Sequence, residues 1–153
     1  MASKIAAAKF AAWSGVRTVI AAAHRPSVLT DAVEGVSGVG TIVAAHQRDL
    51  PARKLWIAFA VRSSGVVSVD AAARAALEGG GASLLAVGVV EVQGDFEIND
   101  AVEIADQNGM VFAKGLVRLS SSALANWLAR SPADLPTEVP SHVVDVDDLV
   151  ILS

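Results

Sequence analysis

The sequence predicts an α+β chain in two parts: a short helix-and-strand layer, then a mixed-β unit of barrel type. Three observations carry this. The apolar period changes from helical to two after Leu85, Asn108-Gly109 supplies a strong hairpin signal, and the charge divides unevenly along the chain. Residues 1–64 hold 8 Lys/Arg against 3 Asp/Glu, a balance of +5. Residues 65–153 hold 4 against 13, a balance of −9, and together they make the net −4. A basic front is thus joined to an acidic back.

The elements follow in order. Ser3 is the expected cap of a helix from Lys4 to about Trp13, with Ile5, Ala8 and Ala12 on one face and Gly15 as its stop. Arg17 to Ala23 is β-branched, apolar and of strand length, which predicts a strand buried on both faces. His24-Arg25-Pro26 breaks it, and Thr30 or Asp31 caps a short helical turn before glycines 35, 38 and 40. Thr41 to Ala44 reads as another strand. This is α/β layering with too few strands for a complete sheet, extending to about residue 48. A linking strand is expected from Leu55 to Val61, and Ser63-Ser64-Gly65 reads as the boundary turn. The domains are then 1–62 and 63–153.

In the second part Asp70 is a good N-cap for the alanine-rich run that follows, and Gly79 to Gly81 end that helix. Val87 to Val92 lead to a turn at Gly94-Asp95. Val102 and Ile104 alternate with Glu103, and after Asn108-Gly109 the return strand is Met110 to Val117. Ser120-Ser121-Ser122 precedes Leu124, Trp127 and Leu128 at helical spacing, so capping rather than nucleophilic chemistry is expected, with Trp127 as core anchor and Ser131-Pro132 as the stop. Two final strands are expected to meet at a solvated acidic turn, Asp145 to Asp148.

Composition narrows the functions. A hydrophobic content of 53% is ample for a core, yet the longest apolar runs, such as Val19 to Ala23, fall far short of the ~20 residues a membrane helix needs. Lys9 and Arg17 interrupt any signal-peptide core. With no cysteine, disulfide and thiolate chemistry is excluded and a cytoplasmic location is expected. His24, His46 and His142 lie far apart, and the acids around Asp145 lack the glycine and oxygen spacing of a calcium loop, so no metal site is expected. Glycines 35, 38 and 40 lack the Lys-Ser/Thr partner of a phosphate loop.

Val69-Asp70, Gly81-x-Ser83-Leu84-Leu85, Gly94-x-Phe96, Val102-x-Ile104 and Ala113-x-Gly115-Leu116 with Ser120-Ser121 together resemble the PUA domain, a small pseudo-barrel, in the form it takes at the C-terminus of the glutamate 5-kinase (γ-glutamyl kinase) family. Met1-Ala2-Ser3-Lys4, Gly15, Ile20-Ala21, Glu34-Gly35, Gly40-Thr41 and Arg53-Lys54-Leu55-Trp56-Ile57 resemble the end of the amino-acid-kinase domain of the same family. Both resemblances fall in the family's order. They imply the incomplete end of an α/β amino-acid-kinase domain followed by a mixed-β PUA pseudo-barrel.

The resemblance implies a C-terminal piece of an enzyme that phosphorylates L-glutamate to L-glutamyl 5-phosphate with ATP and Mg²⁺, the first step of proline biosynthesis. It assigns Met1, Ala2, Ser3 and Lys4 to the ATP/phosphate site. A lysine at a helix start adds a point charge to aligned amide donors where phosphoryl charge spreads. No complete catalytic set is present, so the 153-residue chain alone is expected to be inactive and to need no cofactor. The implied partner is the missing N-terminal kinase half, within a homo-oligomer, with the PUA domain in a structural or regulatory role. An RNA-binding PUA module or a free-standing protein-interaction domain is the alternative. The −9 balance argues against RNA, whose affinity comes largely from Lys/Arg on phosphates.

Overall fold

The computed structural model describes residues 1–46, 50–129 and 142–152. They fall into two compact units, Met1–Leu55 and Trp56–Ser153.

The first unit contains α1 (Ala2–Trp13), β1 (Thr18–Ala21), α2 (Val28–Glu34) and β2 (Gly40–Val43). The strands pair antiparallel, Thr18 opposite Val43 and Ile20 opposite Thr41. Gly40 is required by closeness: a Cβ there would strike the Ile20 carbonyl and approach Ala21 Cα at 3.0 Å. Arg25 ties the turn together, donating to Gly38 O (2.9 Å) and pairing with Asp31 (3.4 Å). Three expectations change here. Helix α1 starts at Ala2 with Met1, not Ser3, at the cap position, and no side chain caps it. Strand β1 is half-buried rather than buried on both faces, because among the described residues its sheet has only the β1–β2 pair. Helix α2 begins after Ser27, which places Thr30 and Asp31 inside it.

The linking segment is a correction in kind. Leu55 to Val61, expected as a strand, is occupied by α3 (Ala52–Phe59) and its exit. Pro51 opens the helix, with the Leu55 amide donating to its carbonyl at 3.1 Å. Leu55 and Phe59 then lie at i, i+4, with Arg53 and Lys54 before them. The two compact units part within this helix, at Leu55–Trp56. Ser63, Ser64 and Gly65 open β3 (Ser63–Val69). Gly65 serves close approach rather than a turn, since a Cβ would meet the Gln93 carbonyl and the Phe96 ring, the latter at 2.7 Å.

The second unit is a five-stranded mixed sheet built from β3, β4 (Val89–Gly94), β5 (Ala101–Ala105), β6 (Val111–Val117) and β7 (Val144–Ile151), in the order β4-β3-β5-β6-β7. The β3–β5 pair is parallel and the others antiparallel. Ahead of β4, Leu84 bridges to Val144 on the opposite edge strand (Leu84 N to Val144 O, 2.8 Å; Val143 N to Leu84 O, 2.7 Å). That contact bends the sheet back on itself and makes it a pseudo-barrel around Val67, Val69, Leu77, Leu84, Phe96, Val102, Ile104, Phe112 and Leu124. Fully burying such side chains contributes roughly 1.5–3 kcal/mol each, which explains why this unit holds the core.

Both predicted caps are present. Asp70 Oδ1 accepts from Ala73 N at 2.7 Å to start α4 (Ala71–Glu78), and Ser120 Oγ accepts from Ala123 N at 3.3 Å to start α5 (Ser121–Leu128). Leu124 is buried and Trp127 packs against the core from its rim. The expected stop at Ser131-Pro132 lies outside the described residues. The acidic stretch does not join two strands. It sits within the single strand β7, where Gly115 faces Leu149 and Val117 faces Val144, so the residues between 144 and 149 bulge out of the ladder.

Candidate functional site

The phosphate-binding candidates Met1, Ala2, Ser3 and Lys4 form the first turn of α1. The amides of Lys4 and Ile5 donate to Met1 O at 3.1 and 3.2 Å, while the amides that open any helix lack intrahelical acceptors. No side chain caps them, and Lys4 is exposed beside them. Donor amides, the positive end of a helix dipole and a mobile ammonium form an arrangement suited to an anionic oxygen. No carboxylate or imidazole accompanies them in that turn.

In the second unit a groove of about 280 Å³ runs between α4 and residues 82–88. Methyl-bearing side chains line it: Ala72, Ala73, Ala76, Leu77, Leu85 and Val87. Its polar side chains are already engaged, Asp70 in its cap and Ser83 Oγ as acceptor of Val146 N at 2.9 Å. Gly88 lets the walls close, because a Cβ there would lie 2.6 Å from that of Ala73. The groove can bind apolar matter but offers no reactive group. Sequence reasoning passed over it, because its walls come from two separate stretches, α4 and residues 82–88.

A charged cluster sits where α4 meets the β5–β6 hairpin. Arg74 pairs with Glu78 (3.0 Å) and Asp106 (2.6 Å), and its guanidinium lies 5.1 Å from the Phe112 ring centroid. The Glu78 hydrogen bond leads in raising the Arg74 pKa above its ordinary value. Asp106 accepts from the amides of Met110 and Asn108, both at 2.9 Å. These bonds, Met110 first, hold its carboxyl below the usual range against the opposing effect of burial. Every group here is satisfied by another, so the cluster braces the fold.

Two of the three acids of β7 share one cation: Arg118 reaches Asp148 at 3.3 Å and Asp145 at 3.9 Å. His46 stacks on Trp13 with centroids 4.3 Å apart, far from His142 in sequence. Among the described residues no three His, Cys, Asp or Glu side chains are grouped so as to hold a metal ion, and no helix is long and apolar enough to cross a membrane.

Residues 65–132, which lie within the second unit and include β4, β5, β6, α4 and α5, match the PUA domain family. Over the whole chain the sequence is similar to the C-terminal region of glutamate 5-kinases. It is 40% identical over 154 aligned positions to the glutamate 5-kinase of Mycobacterium tuberculosis strain H37Rv, covering 100% of this chain and 40% of that protein. It is 43% identical over 121 positions to that of Syntrophus aciditrophicus, covering 79% and 31% respectively. The chain thus spans about two fifths of the length of the M. tuberculosis relative. Solved structures with similar backbones include a PUA domain from Aeropyrum pernix K1 in complex with tartrate (24% identity, TM-score 0.42, 73% of this chain and 77% of that one). Another is an archaeal box H/ACA Nop10–Cbf5 complex (22% identity, TM-score 0.43, 56% and 24%).

Proposed function

We propose that this chain acts as the C-terminal part of an ATP-dependent glutamate 5-kinase, which phosphorylates the γ-carboxylate of L-glutamate to begin proline biosynthesis in the cytoplasm. The observation that carries this is the 40% identity along the full chain to a protein of that name. In this reading Met1, Ala2, Ser3 and Lys4 hold phosphate oxygens of ATP, through the opening amides of α1 and the Lys4 ammonium. Their exposure and lack of caps fit that role. Mg²⁺, which offsets phosphate charge when bound, would take its ligands from the rest of the enzyme, as the described residues provide no such group. The PUA domain has a structural or regulatory part, supporting oligomer contacts or proline feedback. The split between a basic front and an acidic back supports association through complementary charge.

The test is a graft of these 153 residues behind the preceding portion of the M. tuberculosis enzyme. Glutamate-dependent ATP turnover by the graft, with none by this chain alone, is the expected result. A folded graft without turnover overturns the reading. Removing Lys4's charge by Lys4→Ala should lower kcat by about 10²-fold, the usual cost of deleting one preorganised donor to transition-state charge.

A further inference from the structure

We propose that Lys114 is a latch that holds the connection between α3 and β3 against the sheet of the PUA unit. Lys114 lies in the middle of β6, between Ala113 and Gly115, where strand alternation turns it to the face opposite Ala113 and the core. An ammonium is normally solvated, yet this residue is only 7% exposed. Such burial is costly unless the charge is paired and hydrogen-bonded. One hydrogen bond meets that need: Nζ donates to the main-chain carbonyl of Val61, 53 residues earlier in the chain, while Glu103, opposite on β5, adds only a nearby negative charge.

The Val61 bond is the informative contact. A charge on the neighbouring strand acts within the sheet alone, whereas a carbonyl in the exit of α3 joins the sheet to a stretch outside it. On the other flank of Lys114 is Val150 of β7, which has no side-chain acceptor. If residues 60–62 leave the sheet, the ammonium loses that hydrogen bond and keeps only the nearby charge of Glu103. Burial, the larger influence, and Glu103 already oppose each other on its protonation, burial lowering the pKa. The latch and the 60–62 stretch therefore open together or stay closed together. This is independent of the kinase reading, because it concerns only contacts within the second unit.

Hydrogen exchange on the full chain tests it. The amides of Ala60 and Val61 both donate to Trp56 O (2.9 and 3.2 Å) and report on the stretch. In Lys114→Met their exchange should quicken about tenfold while amides in the β5–β6 ladder, such as Ile104, stay within about twofold. No change at 60 and 61, or an equal rise throughout the sheet, overturns the latch. Should the variant not fold, lysine acylation of the wild-type protein decides. Lys114 should label far more slowly than exposed Lys4 and Lys9, and under mild denaturant its labelling should rise in step with exchange at 60 and 61. Labelling as fast as Lys9, or labelling that rises while 60 and 61 stay protected, also overturns it.

Discussion

Arg74 on α4 and Asp106 at the end of β5, 32 residues apart in the chain, meet at 2.6 Å with Asp106 almost buried. The same carboxylate uses its other oxygen to accept the amides of Asn108 and Met110, so one side chain shapes the hairpin turn and fastens it to a helix. Asp106→Ala is therefore expected to lower the thermal midpoint by several degrees and to loosen the 106–110 turn. The pH dependence has a definite sign. A carboxyl held below its ordinary value of about 3.9 contributes stability that is present above that pH and lost as pH falls through the folded value. Thermal melts of both proteins should thus converge in acid below pH ~4. A constant gap across that range would show that the ionised form is not what matters.

Gly65 and Phe96 form a second tight relationship. The ring occupies the space that a Cβ at 65 would need, at 2.7 Å, with the Gln93 carbonyl also in the way. Gly65→Ala should destabilise the second unit by about 1–3 kcal/mol, the usual cost of overpacking. Urea unfolding reads this as a lower midpoint at unchanged slope. Gly109→Ala is strained for a different reason, a φ of +80° with nothing within 4 Å of its Cβ.

The two capped helices offer a graded comparison. Asp70 makes a short bond to its amide (2.7 Å), while Ser120 makes a long one (3.3 Å) and shares its hydroxyl with Ser122. Asp70→Ala should cost about 1 kcal/mol and Ser120→Ala about half of that, at the low end of the range for lost caps. Equal costs would mean that the bond length does not report the strength of the cap.

Features set by neighbours in sequence were readable. Asp70, Ser120 and Asn108-Gly109 act within one turn of chain, and each stands where local chemistry puts it. Leu55 to Val61 was misread because Leu-Trp-Ile-Ala-Phe-Ala-Val is a short apolar run in which period cannot separate helix from strand, and the helix-opening Pro51 was the overlooked cue. Asp145 to Asp148 look like a turn in one dimension. Only the register of β7 against β6, set by Gly115 and Val117, shows a bulge instead. The Ala72–Val87 groove, the Arg74–Asp106 pair and the Lys114–Val61 bond join residues brought together by the tertiary fold, so no local pattern encodes them. The candidate phosphate site was legible only as resemblance, through Met1 to Lys4.

Lys4 separates stability from activity. Its side chain is exposed at the start of α1, so Lys4→Ala should change unfolding of this chain by no more than about 0.5 kcal/mol. In the grafted kinase the same change should lower kcat with little effect on folding. A large loss of stability in the 153-residue chain would reassign Lys4 to the fold and remove it from the phosphate site.

RNA binding by the PUA domain is the remaining prediction, and the disposition of its cations decides it. Three Lys or Arg side chains after residue 65 are described. Arg74 is held by Glu78 and Asp106, Lys114 is buried against Val61, and Arg118 lies between Asp145 and Asp148. None can neutralise a phosphate without leaving a carboxylate or a carbonyl, and the stretch from 65 to 153 carries 13 acids. Each phosphate neutralised on a single strand adds about −0.7 to the slope of log affinity against log salt. With no cation among the described residues released for that purpose, a labelled single-stranded RNA should show no binding at physiological salt and no salt-dependent signal as salt is lowered. Micromolar binding with a steep inverse salt slope would mean that the Arg74 or Arg118 pairs open to RNA. Asp106→Asn and Asp148→Asn would then strengthen binding and identify which pair had opened.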